Sequence, residues 1–537
     1  MKFRTILVTA LAIILSTAAH TAALAQSASE TPLFQSAEED IKKWKMAEAS
    51  RKADEMLRTA DTDARKLEAW YMKAIVEFYK GDYEKAGEYA GKVLENSENE
   101  DKGKGFIGFI AHAVRNRPEW KEAVSDNFVI RYAHPKDLVV AELGKEVLEK
   151  SRYEIGLDLE TYPDEPVIVE IYPDLESFTL ASTLPPENVE TTGVVGICKF
   201  NRIMILSPRL LPKGYTWADT LAHEYTHYLI FLKSENTVPV WLHEGIAKYE
   251  ESRWREEKRN VLTPFYETIL ADALKRDDLV PIEKMHPSLA MLDSAREAQL
   301  AFAQAGTSVG FLVDKWGNDG LVSLLDSMRK RDDYESAIEE VTGLGFGDFM
   351  TSWRADLEHK NLSEKIPGMQ VKGVKIKKGT DEEPDGSEDL VDIDDKKARD
   401  HTRLGDLLGE RGRLKAAVYE YGKALTFDPA SLVISTRMAS ALSRQGEQEK
   451  ALAAIEPLLN LYPDEIDVNI TLGRIFLEKG NMSRAEESFT TALYVNPFDP
   501  FVHSALKTIY EAEGRKEEAE MHGRILTILG YQEQRNE

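Results

Sequence analysis

Apolar residues recur at three- and four-residue steps over most of the chain, the spacing of helices that bury one face. Residues 69–98, AWYMKAIVEFYKGDYEKAGEYAGKVLENSE, show it clearly, with Ala74, Gly81 and Ala86 small enough for two helices to approach closely. From residue 397 the pattern becomes periodic. Gly412, Gly446, Gly480 and Gly514 stand 34 apart, as do Ala417, Ala451, Ala485 and Ala519, and Pro429, Pro463 and Pro497 keep the step. Such a period predicts about four helix pairs over 397–537, each burying its apolar face only against its neighbours. In the middle the period changes to two. Phe128–Tyr132 alternates, Pro166–Ile171 is rich in β-branched residues, and 194–199 and 202–206 flank Phe200-Asn201 as a hairpin. A helix is expected over 139–157 and another from Thr216, with Asp219 in a variant capping box. The chain therefore divides into a helical segment (26–122), an α+β domain (123–364), a linker (365–396) and a helical array (397–537). The linker is basic over 371–378 and then acidic, so it is expected to stay solvated and extended.

The chemistry concentrates between Asp219 and Glu251. His223-Glu224-Tyr225-Thr226-His227 is an H-E-x-x-H motif. Two histidines four apart on a helix have Cβ atoms roughly 5–6 Å apart, so both imidazoles reach one metal ion. Glu224 shares that broad face and suits a general base acting on water. Catalytic zinc takes three protein ligands and keeps a position open. Glu244, on the apolar stretch after Pro239, is the best third ligand. From composition, roughly 0.04 chance matches to the motif are expected in such a chain. Glu251 shares a face with Glu244 and is either a hydrogen-bond partner for a ligating imidazole or a solvated carboxylate. Glu250 reads as surface. His243 reads as a helix-start or cleft-wall residue, with a substrate contact as the rarer alternative. The single cysteine, Cys198, reads as a small core residue. Gly306-Thr307-Ser308-Val309-Gly310 fits G-x-S-x-G, but a helical stretch precedes it where a serine nucleophile needs a strand. It reads as a helix-packing contact.

HEYTH followed by PVWLHEGIAKYEE resembles the bacterial peptidase MA-like domain, a gluzincin metallopeptidase. NFVIRYAHPKD, TGVVGICKFNRIMILSPR, AFAQAGTSVGFLVDKWG and YESAIEEVTGLGFGDFMTSWRADL extend the likeness over about 123–360. The resemblance implies one zinc ion per chain on His223, His227 and Glu244, Glu224 as catalytic base, and a small sheet whose open edge holds a peptide. In related gluzincins a tyrosine or histidine steadies the oxyanion; where an aromatic hydroxyl is expected this chain has Phe302. The periodic C-terminal array resembles tetratricopeptide repeats, and residues 69–98 do so more weakly. The expected fold class is thus an α+β zincin-like metallopeptidase domain flanked by all-α tetratricopeptide-type repeats.

Composition narrows the setting. The 537 residues carry 68 Lys+Arg against 93 Asp+Glu, a formal net charge of −25, so nucleic acid is a poor partner. Lys2 and Arg4, an apolar run over 6–19 and Ala23-Leu24-Ala25 form a signal peptide, residues 1–25, and no later run is long enough to span a membrane. The expected protein is exported, periplasmic or secreted. It hydrolyses peptide bonds, and its repeats recruit a peptide or protein substrate or a protein partner. The architecture is similar to exported metallopeptidase–tetratricopeptide proteins that survey envelope protein assembly. The rival expectation is a non-catalytic repeat scaffold or chaperone that keeps a metallopeptidase fold.

Overall fold

The computed structural model describes residues 31–96, 105–366 and 393–531, apart from 257, 258, 260, 287, 290, 291 and 332, together with 369, 371 and 390. The signal segment at 1–25 and most of the linker lie outside the described residues. Among the described residues five helices come first: α1 (Pro32–Lys42), α2 (Met46–Thr59), α3 (Asp63–Tyr79), α4 (Tyr83–Asn96) and α5 (Phe106–Arg115). Ala69, Ala74, Ala86 and Ala90 are fully buried between them, the small residues that allow close crossing.

The α+β domain opens with β1 (Lys121–Val124), a strand the alternation did not reveal because only Ala123 of its four residues is buried. Strand β2 (Phe128–Tyr132), α6 (Leu138–Leu159) and β3 (Val167–Tyr172) follow as expected, then α7 (Leu175–Ser182), α8 (Pro186–Thr192), β4 (Gly196–Lys199) and β5 (Arg202–Leu206). The sheet order is β1-β2-β3-β5-β4, with β2, β3 and β5 parallel and both outer pairs antiparallel. Phe200 and Asn201 both have positive φ, the hairpin turn between β4 and β5. One sheet face packs on α6 and on α9 (Trp217–Ser234). The other packs on the N-terminal helices through Phe178, Phe200 and Met204.

Beyond α9, α10 (Val240–Glu250), α11 (Pro264–Arg276), α12 (Ala295–Lys330), α13 (Tyr334–Thr342) and α14 (Phe346–His359) complete the domain. The G-x-S-x-G stretch lies inside α12, and Ser308 Oγ donates to the Ala305 carbonyl at 2.8 Å. Gly245, directly after Glu244, faces the Ala305 carbonyl so closely that a Cβ there would stand 2.6 Å from it. This is the packing contact expected of the motif.

The C-terminal array consists of four helix pairs: α15 (Lys396–Glu410) with α16 (Leu414–Phe427), α17 (Leu432–Arg444) with α18 (Gln448–Leu459), α19 (Ile466–Glu478) with α20 (Met482–Leu493), and α21 (Pro500–Glu513) with α22 (Lys516–Ile528). The four periodic glycines take φ of 70°, 81°, 74° and 75° in the turn of each pair, a conformation that strains other residues. The linker is tied down at both ends, against expectation: Ile366 and Ile393 are buried, the latter against Ala398 and Ala417. Among the described residues no helix is long and apolar enough to cross a membrane.

Candidate active site

Helix α9 carries the H-E-x-x-H motif, and its first turn is held from outside. Thr216 makes no side-chain cap, and Asp219 does not form the expected capping box. Asp219 is buried and accepts from Trp254 Nε1 at 3.0 Å and from Arg255 Nε and Nη2 at 2.9 and 2.7 Å. The demand of those two donors outweighs a local cap, because a bidentate guanidinium–carboxylate pair is the stronger interaction.

The sequence-predicted ligand residues converge. His223 Nε2 and His227 Nε2 lie 3.4 and 3.3 Å from Glu244 Oε2, and donor atoms of all three residues lie within 4.8 Å of one another. Donors held about 2.05 Å from an ion at tetrahedral angles stand about 3.3–3.4 Å apart. The three side chains therefore fit a zinc-sized ion. Burial alone would lower the His223 pKa, but hydrogen bonds to the Glu244 and Glu251 carboxylates outweigh it and raise it to about 10. Glu244, although buried, is held well below the usual carboxylate range by His227 and His223.

Each imidazole has a partner on its far nitrogen. His223 Nδ1 lies 3.3 Å from Glu251 Oε2, so Glu251 is not a solvated carboxylate. Glu251 is in turn paired with Lys248, whose ammonium sits 4.5 Å over the Tyr266 ring. His227 Nδ1 lies 2.6 Å from His243 Nδ1. His243 is thus a cleft-wall residue that also touches a ligand residue. If His227 offers Nε2 to an ion, its proton sits on Nδ1 and His243 accepts it. Glu250 is not at the surface. It is fully buried, its pKa pushed up to about 7 by burial against the partial offset of Arg259, whose Nε donates to it at 3.1 Å. Helix α10 packs on both α9 and α12, so a residue off the Glu244 face is covered too.

Glu224 is buried, and burial raises its pKa, His227 and His223 opposing. Its Oε2 has no hydrogen-bond partner among the described residues. The Cys198 backbone N–H donates to its carboxylate. Cys198 itself is a buried core residue as expected, and burial holds its thiol well above the ordinary range, so it stays protonated. The carboxylate rests on β4 at Gly196, where a Cβ would come within 2.8 Å of Glu224 Oε1. Sequence reading passed over Gly196, since nothing local distinguishes it from other loop-edge glycines.

The site lies in a cleft of about 1210 Å³. One wall is β4, which has no strand beyond it in the sheet. The facing wall belongs to the N-terminal helices, including Trp44, Tyr71, Tyr79 and Phe106. Trp44 adopts φ 58° in the turn between α1 and α2 and stacks on Phe231 of α9 with centroids 4.3 Å apart. Lys45 pairs with Glu235 at 3.0 Å beside it. Phe302 also lines the cleft, its ring 6.2 Å from that of His223, and it brings no hydroxyl to the ligand cluster.

A mixed sheet beside an H-E-x-x-H helix, with a third acidic donor on the next helix, defines a zincin-like domain, here set between helical repeats. Comparison with known proteins matches this layout segment by segment. Residues 154–359 match the Peptidase MA superfamily model, and residues 67–100 and 436–500 match tetratricopeptide repeat models. The middle of the chain is a Peptidase MA superfamily domain, and tetratricopeptide repeats flank it on both sides. Among curated proteins, DnaJ homolog subfamily C member 3 of Rattus norvegicus is 26% identical over 129 residues, 24% of this chain and 25% of that protein. The Homo sapiens protein of that name is 27% identical over 113 residues, 21% of this chain and 22% of its own length. The chain thus spans about a quarter of the curated relatives it matches. Among solved structures, MamA is 21% identical, with 26% of this chain and 83% of that one covered at a TM-score of 0.22. Yeast LTA4 hydrolase in complex with bestatin is 13% identical, with 76% and 67% covered at a TM-score of 0.28.

Proposed function

We propose that the protein is a zinc-dependent peptide hydrolase whose repeats bring it to a protein substrate or partner. The observation that carries this reading is the convergence of His223, His227 and Glu244, with each imidazole Nε2 at a tetrahedral edge length from the Glu244 carboxylate and the Glu224 carboxylate buried beside them. His223, His227 and Glu244 would hold the ion. When bound, zinc supplies Lewis acidity, polarising a peptide carbonyl and acidifying a water. Glu224 takes the water proton on its carboxylate and returns it to the leaving amine; burial, which favours its protonated form, suits it to both transfers. Glu251 and His243 hold the two imidazoles so that each presents Nε2. The free edge of β4 aligns an extended peptide across the site. The expected export signal places this work outside the cytoplasm, in keeping with envelope protein quality control.

A non-catalytic scaffold is the second reading, favoured by Phe302 where a hydroxyl would steady the oxyanion. Zinc content and cleavage of an unfolded protein separate the two. The hydrolase binds about one zinc per chain, loses it in His223→Ala, and keeps it in Glu224→Gln while cleavage falls by roughly 100-fold or more. Zinc binding without cleavage in the wild type would leave the scaffold.

A further inference from the structure

Three lysine and arginine side chains are buried among the described residues: Lys73, Lys199 and Arg202. Lys73 pairs with Asp54 and Glu77 at 2.7 and 2.6 Å, and Arg202 faces Glu170 at 3.8 Å. Lys199 has no carboxylate partner among the described residues. Its ammonium donates to the Ser182 carbonyl at 3.0 Å and to Thr183 Oγ1, and it stands 4.8 Å over the Phe200 ring. Two donors are thereby satisfied and the charge is not. A buried ammonium without an anion is destabilising or loses its proton, and burial does pull the Lys199 pKa down to about 7.

The position of this cation matters. Lys199 ends β4, the edge strand, and lines the same cleft as the metal-ligand cluster. The preceding residue, Cys198, gives its N–H to Glu224 and turns its side chain into the core behind the sheet. Successive strand residues alternate faces, so Lys199 turns the other way, toward the N-terminal helices. There Tyr79, Phe106 and Phe109 surround Phe200, with centroids 5.4, 5.8 and 5.8 Å from it. A cation at the edge of an aromatic cluster, in the cleft that Glu224 also lines and one residue along β4 from the N–H that Glu224 accepts, is a subsite with a defined chemistry.

We propose that Lys199 is a carboxylate anchor, recognising in the cleft a peptide that carries a carboxylate next to an apolar side chain. The carboxylate is either the C-terminus of the peptide or an aspartate or glutamate side chain. This deepens the hydrolase reading and rests on it for the peptide nature of the ligand. The aromatic cluster takes the apolar neighbour. A charge-assisted hydrogen bond in such a site gives a preference on the order of 10- to 100-fold over a neutral group.

The test is equilibrium binding to the full chain carrying Glu224→Gln, loaded with zinc. The probes are one labelled alanine–phenylalanine peptide in three forms: free C-terminus, amidated C-terminus, and amidated with one internal glutamate. At least one carboxylate form should bind tenfold or more tightly than the neutral amide. Preference for the free C-terminus alone identifies a terminal carboxylate, and preference for the glutamate form alone an acidic side chain. Lys199→Met should reduce the favoured form to the neutral level and Lys199→Arg should retain part of the preference. Equal binding of all three peptides overturns the proposal, whether or not the Met variant folds. A preference that survives in a folded Lys199→Met protein also overturns it. Cleavage of the same peptides by the wild type is read separately. Selective binding without cleavage would end the hydrolase reading and leave the anchor, while cleavage without selectivity would do the reverse.

Discussion

Glu251 and Gly196 shape the ligand cluster without belonging to it. Glu251 fixes the ring of His223 through Nδ1 and is itself held by Lys248. Replacing it with glutamine keeps the shape and removes the charge that orients the imidazole. Zinc affinity should fall about 10- to 100-fold, read by competition with a chromogenic chelator. An unchanged affinity would mean that helix geometry alone orients the ligand. Gly196 acts on Glu224. Gly196→Ala places a methyl 2.8 Å from Glu224 Oε1, so the carboxylate must shift. Displacement of a reacting group by about 1 Å costs on the order of 100-fold in rate. Zinc content should stay at the wild-type level, which distinguishes a moved base from a lost ion. The glutamate pair at 250 and 251 shows how far spacing carries. Helical phase put Glu251 on the Glu244 side correctly, whereas the partner of the buried Glu250 is Arg259, nine residues on.

Among the elements, the fourth helix pair of the array contains a titrating device. His503 Nε2 donates to the Pro497 carbonyl at 2.8 Å, which leaves its Nδ1 to accept from His522 Nδ1, also at 2.8 Å. Both rings are buried, Tyr510 stacks 5.4 Å from His522, and Asp499 is the nearest acidic influence on His503. Burial, its first cause, lowers the pKa of His503 to about 4, and burial with the charge of His503 lowers that of His522 to about 3. The sign follows from proton uptake. Between pH 6.5 and about 4 the unfolded chain binds protons that the folded pair does not, so stability falls as pH drops through this window. The loss attached to His503 is on the order of 3 kcal/mol. Urea midpoints measured from pH 7 to pH 4 should fall, and more gently in a variant with both histidines replaced by phenylalanine. Equal slopes in the two proteins would show that other groups govern the acid response. The array's helix pairs were legible because glycine and alanine recur at one period. This pairing was not, since residues 19 apart meet only through the turn between α21 and α22.

For the whole molecule, the array is docked on the α+β domain close to the start of α9, the helix that carries H-E-x-x-H. Trp217 Nε1 donates to the Leu493 carbonyl at 2.8 Å, and Tyr215 N donates to the Val495 carbonyl at 3.1 Å. The Trp254 ring meets Tyr494 edge-on at 4.8 Å, and Lys213 pairs with Asp467 at 2.8 Å. Trp217 is fully buried and Trp254 nearly so. Deleting residues 396–537 exposes both, at about 1.5–3 kcal/mol for each large apolar side chain, and leaves an indole N–H without its acceptor. The shortened chain should melt at least several degrees below the full one and bind an apolar dye. A shortened protein with the full-length melting temperature would mean that the contact carries no stability. The N-terminal helices make the opposite wall of the cleft through Trp44 and Tyr79, so both repeat segments touch the domain that carries the site.

Local pattern was enough for the elements and for the three side chains that converge, His223, His227 and Glu244. A 3.6-residue period, a two-residue period and a 34-residue repeat are statements about neighbours in the chain, and so is the four-residue step from His223 to His227. The third donor was legible because α10 follows α9 after a short loop and must fold back beside it. The surroundings of those groups depended on residues distant in sequence. The partner of His227 on α10, the strand edge under Glu224, the unpaired ammonium of Lys199, the Trp44 wall and the docking of Trp217 on Leu493 are all contacts of this kind. Burial raises the pKa of Glu224 and lowers that of Lys199, and burial is a property of the assembled layers, to which sequence spacing is blind.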